Sequence, residues 1–176
     1  MGMILCITGR SAVGKSTVSK VLAADHELPC FGFGSHQRKL LGTNPSNLSV
    51  VRERYIELWP KHLETISSCI SDRGMILEGI YNVSFLEMLR DSFPEHTLRL
   101  IALRASKRDR LSFYSSRNDR VDEKDIKSLG DLDEVKKKIG LVDVFRKVEK
   151  TYVNVYGDIE SCVRNIKRDY GGIYGN

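Results

Sequence analysis

Eight residues near the start of the chain have the spacing of a loop that binds phosphate groups. They read Gly-x-x-x-x-Gly-Lys-Ser from Gly9 to Ser16, directly after the apolar run Met3 to Ile7. Glycines let the backbone turn with positive φ, so that successive N–H groups converge on one anion. Lys15 would place a charge on the β- and γ-phosphates, and the Ser16 hydroxyl would be a ligand of Mg²⁺. The pattern therefore predicts binding of a nucleoside triphosphate with magnesium.

The predicted nucleotide-binding residues form one continuous segment: Gly9, Arg10, Ser11, Ala12, Val13, Gly14, Lys15, Ser16 and Thr17. We expect a helix to begin near Lys15, so that its positive dipole end faces the same phosphates. The chain has no Asn-Lys-x-Asp motif, which would read a guanine base. ATP is therefore the expected nucleotide.

A carboxylate stands at the end of another apolar run. Glu78 directly follows Met75, Ile76 and Leu77, and an acid in that place is costly unless it leaves the core. Beside a phosphate-binding loop it would hold Mg²⁺ through water or accept a proton from an attacking hydroxyl. The alternative is a charge that only ends the strand. We favour a catalytic and metal-binding role.

Basic residues offer further phosphate contacts at two places. Arg38 comes shortly after a predicted strand, and ligands of open α/β sheets gather beyond the carboxyl ends of strands. Arg117 and Arg120 border a charged stretch with few apolar residues, where a mobile element would bring arginines to the transferring phosphoryl group. The alternative for these arginines is a solvated surface, and Arg110 remains ambiguous.

Bulk properties indicate a single domain of 176 residues with a formal net charge of +5, which suits a polyanionic ligand. Because no apolar stretch approaches the length of a membrane span and the chain shows no basic segment with a cleavage site before its first strand, we expect neither a transmembrane helix nor a signal peptide. The four cysteines are scattered without a Cys-x-x-Cys pair, which is typical of reduced, mostly buried thiols in a cytoplasmic protein. We expect no membrane association.

Strand and helix patterns alternate along the chain, which favours a parallel sheet covered on both faces. The predicted strands are Met3 to Ile7, Leu28 to Gly34, Gly74 to Ile80, Leu98 to Leu103 and Tyr152 to Tyr156. The predicted helices are Lys15 to Ala24, Leu48 to Ser71 with a kink at Pro60, Val83 to Phe93, Ser106 to Ser116, Leu132 to Thr151 with a weak point at Gly140, and Asp158 to Arg168.

These motifs in this order resemble the P-loop nucleotide kinases of the adenylate kinase and dephospho-CoA kinase group, and most nearly their small archaeal relatives. The resemblance is specific at Gly9 to Thr17 and fair at Phe33 to Arg38 and at Leu77 to Gly79. It implies a three-layer α/β/α fold with a five-stranded parallel sheet in the order 2-3-1-4-5. It also implies a helical acceptor-binding insertion at about 35–72 and an arginine-bearing lid at about 117–131.

The same resemblance assigns the acceptor-binding residues. Arg38 matches the arginine that binds the acceptor phosphate, and Ser35 stands where the group has an aspartate. Asn82 stands where the third-strand motif has an arginine. These two departures bear on the identity of the acceptor more than on the ATP site.

We therefore expect an enzyme that moves the γ-phosphoryl group of MgATP to a nucleotide or nucleotide-like acceptor, such as a nucleoside monophosphate or dephospho-CoA. Lys15, Glu78, Arg117 and Arg120 would be its catalytic residues, and the protein would be a monomer or homodimer. One alternative is a nucleotide-binding regulator with slow NTPase activity and no acceptor. Another is a nucleic-acid end kinase or ATPase, suggested by the basic charge and by the aromatic residues Phe113 and Tyr114, although we do not favour it.

Overall fold

A five-stranded parallel sheet forms the centre of the computed structural model, which describes residues 2–41, 55–116 and 129–171. The strands are β1 (Gly2–Gly9), β2 (Cys30–Gly32), β3 (Gly74–Glu78), β4 (His96–Arg104) and β5 (Lys150–Val153). Their order across the sheet is β2-β3-β1-β4-β5, and each neighbouring pair is parallel. This confirms the predicted fold class and strand order.

Helices cover both faces of the sheet, because parallel strands are joined by crossover helices. In the described parts of the chain they are α1 (Lys15–His26), α2 (Phe33–Leu41), α3 (Trp59–Cys69), α4 (Val83–Ser92), α5 (Lys107–Ser115), α6 (Leu129–Ile139), α7 (Leu141–Arg146) and α8 (Ile159–Tyr170).

The central strand β1 is buried along its whole length and contributes to two separate cores. Successive side chains of a strand point to opposite faces. Met3, Leu5 and Ile7 therefore join one cluster, with α1 and α8, while Ile4 and Cys6 join the other, with α3 and α4. A strand held on both faces fixes the position of the loop that follows it.

The second strand is shorter than predicted. We expected it to extend to Gly34, but β2 ends at Gly32 and α2 begins at Phe33. The Ser35 hydroxyl donates a hydrogen bond to the carbonyl oxygen of Gly32 at 2.8 Å, which helps to close the turn. Phe33 is fully buried from its position in the helix, so an apolar residue was misread as part of the strand.

The predicted helix from Leu132 to Thr151 is two helices, α6 and α7. They are separated by Gly140, whose φ of +125° is not helical. The chain then enters β5 at Lys150, two residues earlier than predicted, and leaves it at Val153. Apolar periodicity alone did not show this break, because apolar residues recur at helical spacing on both sides of Gly140.

The predicted acceptor-binding insertion at 35–72 is helical at both ends in the described residues, through α2 and α3. Pro60 lies in the first turn of α3, where the missing N–H of a proline costs nothing. The observed helix therefore starts at Trp59, and Pro60 begins it instead of kinking it. The part of the predicted helix before residue 55 lies outside the described residues. The predicted lid falls on residues 117–131, of which only 129–131, at the start of α6, are described.

All four cysteines are free, with Cys6 and Cys162 buried and Cys30 and Cys69 exposed. Burial raises the pKa of the Cys6 thiol far above its ordinary value, so this side chain packs as a small apolar group. Within the described residues, no helix has the length and apolar character needed to cross a bilayer.

Candidate active site

The turn between β1 and α1 has the conformation that its glycines predicted. Gly14 caps the start of α1 with φ +79°, and Ala12, which is not a glycine, also has a positive φ of +55°. A non-glycine residue rarely adopts this conformation unless its surroundings hold it there. The turn is therefore a defined loop, which we call the phosphate loop (residues 9–16).

Lys15 lies over this loop rather than in solvent. Its side chain is buried, and its Nζ donates hydrogen bonds to the carbonyl oxygens of Gly9 at 3.2 Å and of Arg10 at 2.9 Å. An ammonium group held in this way has already lost much of its rotamer freedom. Its charge is thus placed at the mouth of the phosphate loop before any ligand arrives.

The two predicted metal ligands come together across the sheet. The Ser16 hydroxyl donates to Oε1 of Glu78 at 2.9 Å, although the residues are far apart in sequence. Both offer oxygen ligands, which Mg²⁺ prefers. Among the described residues, no cluster of three or more His, Cys, Asp or Glu side chains could hold a metal ion. A cation beside Ser16 and Glu78 would therefore need oxygens from phosphate and water as well.

Gly32 makes room for this arrangement. A Cβ atom at this position would lie 2.7 Å from Oε1 of Glu78 and 2.9 Å from Oγ of Ser35. Glu78 and Ser35 therefore both approach the end of β2, where a side chain would have to displace them. Ser35 was predicted as a substrate-binding residue, and the structure brings it close to the predicted catalytic carboxylate.

A buried ion pair holds the phosphate loop from one side. Asp133 on α6 accepts a hydrogen bond from the backbone N–H of Ser11 at 3.0 Å, and Nε of Arg110 on α5 donates to the Ser11 carbonyl oxygen at 2.8 Å. Nη2 of Arg110 also donates to the Asp133 carboxylate at 2.7 Å. This pair resolves the ambiguity of Arg110, which contacts the phosphate loop and does not face solvent.

Asn154 holds the loop from the other side. It follows β5, is fully buried, and its Nδ2 donates to the carbonyl oxygen of Val13 at 2.9 Å. A Cβ atom at Gly14 would lie only 2.2 Å from the same nitrogen, so Gly14 is required for this contact as well as for its positive φ. Asn154 has no recognisable signal in the sequence, because buried amides follow no local pattern.

A second lysine lies at the mouth of the phosphate loop. Lys136 on α6 places its Nζ 4.6 Å from the ring centroid of Tyr81, and Nζ of Lys15 lies 5.7 Å from the same centroid. Burial, followed by the positive charge of Lys15, lowers the pKa of Lys136 well below its ordinary value, while Asp133 and Glu78 oppose this effect. Sequence analysis missed this lysine, which stands in a run of three.

The other predicted site residues differ in how the structure places them. Arg38 is exposed on α2, and its Nη1 would lie 3.7 Å from a Cβ atom at Gly34. Asn82 caps α4: its Oδ1 accepts from the backbone N–H groups of Ser84 and Phe85, and its Nδ2 donates to the Ile139 carbonyl oxygen. Helix capping thus accounts for both polar atoms of the Asn82 amide.

Arg117 and Arg120, the predicted catalytic arginines, lie outside the described residues.

The aromatic residue Phe113 on α5 packs against Tyr156, which follows β5, with ring centroids 5.2 Å apart. Phe113 also lies near the phosphate loop, since its Cζ would be 3.4 Å from a Cβ atom at Gly14. The aromatic residues of α5 suggested stacking on a nucleic-acid base, but the Phe113 ring packs against Tyr156 of the same chain.

Solved structures of small-molecule kinases match nearly the whole chain. Shikimate kinase from Bacteroides thetaiotaomicron matches with a TM-score of 0.67, covering 96% of this chain and 98% of its own, at 12% identity. Shikimate kinase from Acinetobacter baumannii in complex with shikimate matches with a TM-score of 0.63 over 97% and 94% of the two chains, at 13% identity. A gluconokinase from Sinorhizobium meliloti matches with a TM-score of 0.58 over 98% and 95%, at 16% identity.

The chain has the P-loop kinase fold. No protein-family model matches it, and no curated protein matches it by sequence. The predicted resemblance is therefore confirmed for the fold. The narrower assignment to the adenylate kinase and dephospho-CoA kinase group stays a prediction, because these P-loop kinase structures are named for other acceptors.

Proposed function

We propose that this protein is an ATP-dependent phosphotransferase with a small-molecule acceptor. One observation carries the proposal: the Ser16 hydroxyl meets the Glu78 carboxylate beside a phosphate loop whose lysine is already buried over it. A loop that only turns a strand into a helix needs neither a buried ammonium nor a carboxylate beside its serine. Together these groups provide the positive charge and the oxygen ligands that a magnesium-bound triphosphate requires.

The roles of the residues follow from their positions. The backbone N–H groups of the phosphate loop other than that of Ser11, which donates to Asp133, bind phosphate oxygens, and Lys15 and Lys136 add positive charge at its mouth. Ser16 and Glu78 would hold Mg²⁺, which supplies charge that neutralises the phosphate oxygens when bound. Positioning and charge neutralisation provide most of the rate in phosphoryl transfer. Glu78 would also accept the proton of an acceptor hydroxyl.

The acceptor would bind on the β2 side of Glu78. Ser35 lies there at the start of α2, and Arg38 follows on the exposed surface of the same helix. An arginine in this place favours an acceptor that carries phosphate or carboxylate. Nucleoside monophosphates and dephospho-CoA remain our preferred class, while shikimate and gluconate are the acceptors named for structures of the same fold.

The test is a phosphotransfer screen with MgATP against nucleoside monophosphates, nucleosides, dephospho-CoA, shikimate and gluconate, each scored against the rate without acceptor. We expect one class to raise the rate at least ten-fold, and Lys15→Ala to abolish this increase. Lys20→Ala, an exposed lysine on the same helix, should keep the wild-type rate. ATP hydrolysis that no acceptor stimulates would instead favour a regulatory NTPase. Salt-sensitive binding of polynucleotides would favour a nucleic-acid enzyme.

A further inference from the structure

Ser11 is the residue of the phosphate loop whose two backbone polar groups are both bound by side chains from distant parts of the chain. Its N–H donates to Asp133 and its carbonyl oxygen accepts from Arg110, at 3.0 and 2.8 Å. The third bond, between Arg110 and Asp133, closes the arrangement at 2.7 Å. Because the Ser11 N–H is used in this way, it is not among the groups free to bind phosphate.

All the partners in this arrangement are withdrawn from water. The exposed fractions are 9% for Arg110 and 8% for Asp133, and Ser11 is also buried. A buried ion pair is costly unless its geometry is good and its remaining hydrogen-bonding atoms are satisfied. Here both carboxylate oxygens and two nitrogens of the guanidinium group are used. The hydrogen-bonding needs of the pair are therefore largely met, and two of its hydrogen bonds go to the backbone of the phosphate loop.

The next residue along the chain, Ala12, has a positive φ of +55°. This conformation costs an alanine about 1 kcal/mol, whereas a glycine adopts it readily. Ala12 lies between Ser11, fixed by Arg110 and Asp133, and Val13, whose carbonyl oxygen is bound by Asn154. The unfavourable turn is thus fixed at both of its neighbours.

We propose that Arg110 and Asp133 are positioning residues that fix Ser11, and thereby keep Ala12 in the turned conformation that makes the phosphate loop ready for a triphosphate. This inference rests on the nucleotide binding proposed above. A loop fixed before binding loses little conformational entropy when the ligand arrives, so the pair acts on nucleotide affinity. Neither residue needs to touch the nucleotide.

Asp133→Asn tests the proposal with the smallest change. The amide oxygen of asparagine still accepts from Ser11, but its NH₂ group then faces a donor nitrogen of Arg110. We expect the Kd and KM for MgATP to rise about ten-fold, the size expected for one lost hydrogen bond to a charged group. The kcat and the KM for the acceptor should stay within two-fold, because the loss affects the bound nucleotide equally in the ground state and the transition state.

Ala12→Gly distinguishes this role from general damage to the fold. If the pair serves to hold a strained turn, glycine at residue 12 needs less support. The double variant Ala12→Gly/Asp133→Asn should then recover at least three-fold of the lost MgATP affinity relative to Asp133→Asn. Independent effects of the two changes, with no recovery, would overturn the proposal, as would an unchanged MgATP affinity in Asp133→Asn.

Amide hydrogen exchange of the protein without nucleotide separates this proposal from the proposed function. We expect the N–H groups of residues 11–14 to exchange faster in Asp133→Asn, and those of β1 and β3 to remain as in the wild type. Faster exchange in a protein that shows no acceptor-dependent transfer would refute the phosphotransferase and leave the positioning role intact. Unchanged exchange in the loop would refute the positioning role, whatever the enzyme does.

Discussion

The ammonium groups of two lysines lie over the ring of Tyr81, and only Lys15 belongs to the phosphate-binding motif. Lys15 and Lys136 come from α1 and α6, and their Nζ atoms lie 5.7 and 4.6 Å from the ring centroid. The lowered pKa of Lys136 reflects burial first and then repulsion by the positive charge of Lys15. An anion bound between them would remove the repulsion. Lys136 is thus placed to respond to phosphate.

We predict that Lys136→Met weakens MgATP binding about ten-fold, because it removes one charge from the anion site. Lys137→Met is the matched control, since Lys137 lies on the exposed side of α6 and pairs with Glu134. The phosphate charge would also raise the pKa of Lys136, so binding should take up protons wherever Lys136 is partly neutral in the free protein. The affinity of the wild type should therefore fall as pH rises towards 10.5, more steeply than that of Lys136→Met.

Isothermal titration calorimetry in buffers of different ionisation enthalpy measures both the affinity and the proton uptake. Equal affinities and equal proton uptake in Lys136→Met and the wild type would show that Lys136 does not contact the phosphate site. The Lys137→Met control should match the wild type in both quantities.

At this scale, sequence predicted the residues whose chemistry has a fixed spacing. The meeting of Ser16 and Glu78 was expected, because Glu78 ends β3 and Ser16 follows the loop after β1, so both lie at the carboxyl edge of the parallel sheet. Asp133, Lys136 and Asn154 were missed, because each reaches the site from a helix or loop whose docking is set by tertiary packing. An aspartate in an amphipathic helix has the same local pattern whether it is buried or exposed.

At the scale of elements, a pair of histidines joins α2 to α3. Nδ1 of His36 and Nδ1 of His62 are 2.8 Å apart, and Nε2 of His36 lies 3.2 Å from Oγ1 of Thr65. The Thr65 hydroxyl donates to the Lys61 carbonyl oxygen, so His36 must donate to Thr65 through Nε2 and accept through Nδ1. His62 is therefore neutral with its hydrogen on Nδ1.

This assignment leaves Nε2 of His62 buried, without a hydrogen-bond partner in the described part of the chain. The imidazole is surrounded by Phe31, Phe33 and Phe85. If Nε2 of His62 were protonated, its N–H group would find no hydrogen-bond acceptor among these rings. Burial first, and then the neighbouring His36, lowers the pKa of His62 to about 4, and burial and Lys39 lower the pKa of His36.

We predict that the junction of α2 and α3 weakens as the solution becomes acidic. The unfolded chain binds a proton at His62 near pH 6.5, whereas the folded protein binds it only near pH 4. Stability is then complete above pH 6.5 and falls between pH 6.5 and 4, by about 3 kcal/mol. His62→Phe should remove most of this slope. Urea unfolding between pH 4.5 and 7.5 measures it.

The fluorescence of Trp59, the single tryptophan, is a local probe for these unfolding experiments, since its ring lies 5.1 Å from that of Phe85. A stability that falls equally with acid in the wild type and in His62→Phe would contradict the prediction. Neutral-pH stability of His62→Phe serves as the check that a phenylalanine fits into the aromatic cluster.

Element order was more predictable than element boundaries. The five strands have clear apolar runs, so their sequence and their order in the sheet were expected. The division at Gly140 and the early start of α2 at Phe33 were not, because a glycine in a helical pattern and a phenylalanine after a strand each fit two interpretations. In both places tertiary packing decided between them.

At the scale of the whole molecule, the candidate site is assembled from every part of the fold. β1 supplies the phosphate loop, β3 supplies Glu78, and the segments after β4 and β5 supply Arg110 and Asn154. Such a site exists only in the folded chain. Any ligand that binds it must stabilise the folded state relative to the unfolded state.

We therefore predict that MgATP raises the melting temperature. At a concentration 100 times its Kd, a ligand adds about 2.7 kcal/mol, which is a rise of about 5–10 °C for a chain of this size. Lys15→Ala should lose most of this rise, and Lys20→Ala should keep it. ATP with a chelator should give a smaller rise than MgATP. Without Mg²⁺, the Glu78 carboxylate would repel phosphate charges that no metal ion neutralises. Differential scanning calorimetry measures all four conditions, and an equal rise in Lys15→Ala and the wild type would place the nucleotide away from the phosphate loop.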